Sequence, residues 1–410
     1  MTSSGSSEHE RQRGSGDRAR KVTVVIPSYN HAPYVSDAFE SVARQTFRDF
    51  EVVVIDDAST DGSVDRIERF IRGHPEIHWD FVRHDVNEGA VATLNELVQR
   101  APGEYVALIN SDDLWAPSKL DEQVRILDEC LDVEAVFTQA QVIGPDGSAL
   151  PGMRDFPVDV FVQKNRTRGQ WLRRLFFELN CLCHPSLMIR SRVYREIGLY
   201  DPRFRQLPDM QMWVRLLKVG RIHIIEEPLV RLRVHSDNTS AVNPETIARN
   251  LNELEWILDA FFDDMPEDVL LEGFGDLLRR ARQPHGEALA IEKAFLYLQP
   301  KSPIRSIYER LGLKKLFRLL ANPTARELLR RDYAFDYRTF HELSGSVYPD
   351  EGIPAAIRSA GAGKKDDEGD GGAGYVLALT RRQIGMWLRG YPLLYRAASR
   401  VLWFLRRIRP

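Results

Sequence analysis

The chain has 410 residues, 43% of them hydrophobic and 28% charged, enough for two or three domains with a sizeable core. Its 56 basic and 59 acidic residues leave a formal net charge of −3, which gives no reason to expect nucleic acid as a partner. Three cysteines exclude a disulfide framework and suit a reducing cytoplasm; Cys181-Leu-Cys183-His184 is too tightly spaced, and lacks the second pair, for a usual zinc site.

Residues 1–20 are Ser, Gly, Arg and Glu without periodicity, and read as a disordered tail lacking the apolar stretch of a signal peptide. No run of about 18 apolar residues predicts a spanning helix. Val22–Ile26 and Phe50–Ile55 are short, β-branched apolar runs and predict buried strands. Between and after them, Pro33–Thr46 and Ser63–Arg72 carry apolar residues at helical spacing. Trp79–Val82, Tyr105–Ile109 and Ala135–Val142 predict further strands, with helices over Ala90–Gln99 and Lys119–Leu131. This alternation predicts an α/β fold: a Rossmann-like, mostly parallel sheet with helices on both faces. Residues 165–240 are mixed. A helical region follows to about 358, then a Gly/Ala/Lys/Asp linker over 359–374. Residues 375–410 hold eight arginines, no acidic residue, and Trp387, Tyr391, Trp403 and Phe404. That composition predicts a basic amphipathic helix suited to an anionic membrane surface; docking on the protein's own core or on an acidic partner are the other readings.

The chemistry concentrates where strands end. The first strand ends in Pro27-Ser28-Tyr29-Asn30, the second in Asp56-Asp57-Ala58-Ser59-Thr60-Asp61-Gly62, and the 105–109 strand in Asn110-Ser111-Asp112-Asp113. Ligands of open α/β sheets bind at the carboxyl ends of strands. Adjacent carboxylates call for a cation such as Mg²⁺ or Mn²⁺, although Asp113 could instead cap a turn beginning at Leu114. A carboxylate can accept from a base N–H, an aromatic ring can stack on the base, and a metal can neutralise a diphosphate. Neither a P-loop nor a Gly-x-Gly-x-x-Gly dinucleotide fingerprint is present.

Four segments, Val22–Asn30, Ser41–Phe47, Val54–Gly62 and Asn110–Trp115, together resemble the family 2 glycosyltransferases, inverting enzymes of the GT-A fold that use nucleotide-diphosphate sugars. The resemblance covers about residues 21–240. It implies that Pro27, Ser28 and Tyr29 line the nucleotide pocket. Asp57 would contact the base, with Asp56 beside it either there or in a structural hydrogen bond. Asp112 would lie near the ribose and sugar, and Asp113 would hold the metal through the diphosphate. Asn110 stands where the family's Asp-x-Asp motif begins, so that position is not acidic. Asp209, in Leu207-Pro208-Asp209-Met210, matches the catalytic base, with Pro208 replacing the usual Glu; capping the Met210–Lys218 helix is a compatible reading. Trp213 would form an acceptor platform or pack in the core. His235 would bind the metal or diphosphate or be structural, and His184 would shape the acceptor wall.

The expected activity is transfer of a sugar from a nucleotide-diphosphate sugar to a glycan or lipid-linked acceptor hydroxyl, in cell-surface polysaccharide or glycan biosynthesis. The expected location is cytoplasmic and peripheral at the inner face of the membrane. The alternatives are a nucleotidyltransferase on the same fold and a non-catalytic nucleotide-sugar-binding scaffold.

Overall fold

The structure, a computed structural model, describes residues 19–150, 160–235, 238, 243–280, 284–299 and 304–347. The linker and basic helix expected over 359–410, and nearly all of the N-terminal tail, lie outside these described residues. In chain order the elements are β1 (Val22–Ser28), α1 (Val35–Ala43), β2 (Phe50–Asp56), α2 (Ser63–Gly73), β3 (Trp79–Arg83), α3 (Ala90–Arg100), β4 (Tyr105–Leu108), β5 (Leu114–Trp115), α4 (Lys119–Glu129) and β6 (Val133–Ile143). Then come α5 (Arg168–Glu178), β7 (Met188–Arg190), α6 (Ser191–Ile197), α7 (Pro208–Val219) and β8 (Arg221–Arg233). The helical region supplies α8 (Pro244–Asp259), α9 (Glu267–Phe274), α10 (Gly286–Leu296), α11 (Arg305–Ala321), α12 (Pro323–Tyr333) and α13 (Tyr337–Ser346).

One eight-stranded mixed sheet runs β3-β2-β1-β4-β7-β6-β8-β5. Its first four strands are parallel, with Val22 opposite Phe50 and Tyr105, and Val52 opposite Trp79. Helical crossovers join these strands, as parallel pairing requires. From β7 onward the pairing is antiparallel, β4 with β7, β7 with β6, and β5 with β8. All seven residues of β2 are buried, which is why its sequence does not alternate.

The described residues gather into two compact units. One holds those of Met1–Thr138, His184–Leu199 and Glu227–Leu232; the other holds those of Gln139–Cys183, Tyr200–Glu226 and Arg233–Pro410. The core of the second forms around Phe176 on α5, whose ring meets Phe261, Phe262, Phe274, Tyr297 and Tyr308 at centroid distances of 5.0–5.7 Å. Offset and edge-on aromatic contacts of this kind add about 0.5–1.5 kcal/mol each beyond burial. The α5 and α9 backbones touch at Gly169 and Gly273, where a Cβ on Gly273 would sit 2.3 Å from the Gly169 carbonyl oxygen.

Candidate active site

The loops after β1 and β2 are tied to each other. Asp56, fully buried, accepts from the Ser28 hydroxyl at 3.0 Å and from the Ser59 N–H and hydroxyl at 2.8 and 2.7 Å. Asn30, in the left-handed region at φ 52°, receives the Thr60 N–H on its side chain and donates its own N–H to the Ser59 hydroxyl. Asp61 accepts from Ala32 N–H, Ser63 N–H and the Ser63 hydroxyl. Burial opposes ionisation of Asp61, but these hydrogen bonds outweigh it and hold the carboxyl below its ordinary range. Gly62 follows at φ +90°, a conformation that suits glycine, and starts α2. Asp56, Ser59 and Asp61 therefore brace the loops, and Tyr29 remains 46% exposed beside them.

Asp57 has a different environment. Its Oδ1 accepts from Glu88 N–H at 2.8 Å and lies 2.8 Å from His84 Nδ1; its Oδ2 accepts from Gly89 N–H at 2.9 Å. On the other side of the ring, His84 Nε2 lies 3.1 Å from Glu96, which also holds Arg100. Burial alone would lower the His84 pKa, but the bonds to Asp57 and Glu96 prevail and raise it. The imidazole sits between two carboxylates, which favour its protonated form. The motif reading missed His84 and Glu96, which stand 27 and 39 positions beyond Asp57 and belong to no common pattern.

Asp112 and Asp113 are buried, at 4% and 1% exposure, in the loop after β4. No helix starts at Leu114. The chain forms β5 there and α4 begins at Lys119, so the capping alternative for Asp113 is set aside. Asp113 accepts from the Asn110 side-chain amide at 3.0 Å and donates its N–H to the Asn110 carbonyl at 3.2 Å. His31 places Nδ1 2.8 Å from the Ser111 hydroxyl and Nε2 3.9 Å from Asp112 Oδ2. That second separation is too long for a hydrogen bond, yet one cation with ligand bonds of about 2.1 Å spans it. Carboxylate oxygens suit Mn²⁺ or Mg²⁺, whereas an imidazole ligand favours a softer ion than Mg²⁺. His31 is thus a further candidate that the motifs did not single out.

The Ser41–Phe47 segment holds this loop from behind. The Gln45 amide donates to the Ala116 carbonyl at 2.8 Å and its oxygen accepts Leu120 N–H at 3.0 Å, while the Ser41 hydroxyl accepts Trp115 N–H. Trp115 Nε1 reaches the Pro185 carbonyl at 3.0 Å. The adjacent His184 is pushed down to about 3 by burial, so it is neutral near pH 7.

In the second unit, Asp209 lies in the first turn of α7, where Leu207 is the N-cap and Pro208 the first helical residue. The N-cap alternative for Asp209 therefore does not match its position. Its Oδ2 accepts the Asn180 side-chain amide at 2.6 Å and its Oδ1 accepts Met210 N–H at 2.7 Å. Burial nevertheless pushes the carboxyl up to about 6, the Asn180 and Met210 bonds pulling the other way. Trp213, one turn along, is fully buried and packs in the core, so its ring presents no face to a sugar. His235, at the end of β8, is buried and donates its N–H to the Asn238 side-chain oxygen at 2.5 Å.

Residues 23–198 match the family described as glycosyl transferase family 2. A putative teichuronic acid biosynthesis glycosyltransferase, TuaG of Bacillus subtilis, is 31% identical over 201 residues, 48% of this chain and 73% of that protein. An uncharacterized glycosyltransferase of Rickettsia felis is 27% identical over 254 residues, 61% of this chain; the match spans only 40% of that protein's length. Among solved structures, residues 1–349 of S. aureus TarS in complex with UDP superpose with a TM-score of 0.50 at 18% identity, covering 78% of this chain and 93% of that one. At that identity the likeness speaks for the GT-A fold alone. With the ordered motifs and the TuaG match, the chain belongs to glycosyl transferase family 2.

Proposed function

We propose that the protein is an inverting, metal-dependent glycosyltransferase that moves a sugar from a nucleotide-diphosphate sugar to an acceptor hydroxyl. The observation that carries this reading is Asp209. Its carboxyl, held at about 6 by burial and oriented by Asn180, is ionised near neutral pH yet basic enough to take a proton. In the proposed reaction Asp209 removes the acceptor hydroxyl proton as that oxygen attacks the anomeric carbon. The new C–O bond forms as the bond to the diphosphate breaks, and the configuration inverts. Tyr29, Pro27 and Ser28 would line the nucleotide site and Asp57 would accept from the base. Asp112 would face the ribose and sugar. A divalent cation held by Asp113, with Asp112, His31 and His235 as further candidate ligands, would supply charge neutralisation for the departing diphosphate.

The proposed acceptor class is supported by TuaG, whose name places it in teichuronic acid biosynthesis, and by the composition of residues 375–410. A surface polysaccharide or its lipid-linked precursor, reached from the inner face of the membrane, suits both. No helix among the described residues is long and apolar enough to cross a membrane. Liposome co-sedimentation with and without residues 375–410 tests membrane contact; equal recovery sinks it.

A thermal-shift screen of UDP- and GDP-sugars with Mn²⁺, repeated on Asp113→Ala, tests the donor site. The expected result is one donor that stabilises the parent only with metal and does not stabilise the variant. Stabilisation by nucleoside triphosphate plus sugar phosphate, with pyrophosphate release, would instead identify a nucleotidyltransferase. Donor turnover unaffected by Asp209→Asn would overturn the assignment of the base.

A further inference from the structure

We propose that Glu253, in the helical region, is a positioning residue for Asp209, fixing the turn from which α7 starts. The inference rests on Asp209 being the base. Glu253 lies on α8 and is 1% exposed. Its Oε1 accepts Arg205 N–H at 2.9 Å, and its Oε2 accepts both Gln206 N–H and Leu207 N–H at 2.8 Å. Three consecutive backbone donors thus converge on one carboxylate, the concave arrangement by which proteins bind anions, filled here by the protein's own side chain.

The position argues against simple packing. Asn250, Leu254, Ile257 and Leu258 are the other buried residues of this stretch of α8. A leucine at 253 would continue that apolar face without the cost of burying a charge, which is several kcal/mol before its hydrogen bonds offset it. The carboxylate is spent on the backbone immediately ahead of the base. Leu207 is the N-cap of α7, Pro208 has no N–H to offer, and Asp209 comes next. Glu253 fixes the backbone on the N-terminal side of Asp209, while Asn180 fixes the carboxylate itself. The Glu253 charge also adds, after burial, to what holds the Asp209 carboxyl up.

The test uses the full chain with Glu253→Gln and Glu253→Asp. Asp209 is followed by ¹³C NMR of aspartate carboxyl carbons, its signal being the one lost in Asp209→Asn, and the amides of 205–207 by hydrogen exchange. In Glu253→Gln the Asp209 titration is expected to move below that of the parent, with faster exchange at 205–207. Glu253→Asp keeps the charge on a shorter arm. It is expected to speed the same amides while leaving the Asp209 titration nearer the parent, and it decides the matter if the glutamine variant does not fold. Faster exchange with an unmoved Asp209 titration in Glu253→Gln, or no change in either, would overturn the proposal. So would a Glu253→Asp variant with parent-like exchange when the glutamine variant does not fold. Retained transfer in Asp209→Asn would sink the base reading alone, because the coupling between residues 253 and 209 is measured without turnover.

Discussion

The side-chain amide of Gln45 donates to the carbonyl of Ala116 across 71 positions, at 2.8 Å. Gln45 is fully buried, and its oxygen also takes the Leu120 N–H. It therefore clamps the segment that runs on from Asp113. Gln45→Ala leaves Leu120 N–H without that partner, for a cost of about 1–3 kcal/mol in urea denaturation. The same variant is expected to weaken metal-dependent nucleotide binding several-fold by calorimetry. Parent-like stability and binding would show that the clamp is dispensable.

His84 should impose an alkaline limit. Its pKa is raised above the ordinary 6.5 by Asp57 and Glu96, with Glu88 adding to the field, against the effect of burial. A histidine raised on folding stabilises fully below its unfolded pKa and loses that contribution as pH rises through the folded one. Stability curves of the parent should therefore fall more steeply above pH 6.5 than those of His84→Gln. Parallel pH curves for the two proteins would refute a cationic His84.

Asp209 works in the opposite direction at lower pH. Its carboxyl is held at about 6 by burial, against an ordinary value of 3.8. The folded chain holds the extra proton between those values, so this group's contribution to stability declines as pH rises from 3.8 to about 6 and is level above. Asp209→Asn removes the decline. Relative to the parent, it is expected to gain on the order of 1–3 kcal/mol between acid and neutral pH, while losing transfer. Denaturation midpoints at the two pH values read this directly; an unchanged difference would contradict it.

Two glycines should respond oppositely to a methyl group. Gly273→Ala drives its Cβ against Gly169 backbone that has no side chain to move, for an expected loss of about 1–3 kcal/mol. Gly345 in α13 has nothing within 4 Å of a Cβ, and Gly345→Ala is expected to gain about 0.4–1 kcal/mol. Thermal unfolding of both variants checks the pair, and a shared sign would contradict the packing described.

The parallel half of the sheet was legible because Val22, Val52 and Val106 sit in runs too apolar to be anything but buried. Of the antiparallel half only β6 was, as the run Ala135–Val142. β7 has only three residues, β5 two, and β8 carries Glu226, Glu227 and Pro228, which hide a strand in a charged pattern. At the site, Asp57, Asp112, Asp113 and Asp209 declared themselves through local motifs. His31, His84 and Glu96 did not, since only the folded chain brings them to their partners. Glu253 left a faint sign: it falls on the same helical face as Asn250, Leu254 and Ile257, where a solvated glutamate would not be.

Gly169 and Gly273 also bear on how relatives of this chain should be compared. Each is already the smallest residue, so neither can shrink to make room for growth at the other. No compensating exchange exists, and substitution requires α5 and α9 to move apart. Relatives that keep this helix crossing would hold glycine at both positions and show no covariation between them. Invariance there would record a backbone contact and no part of the transfer chemistry.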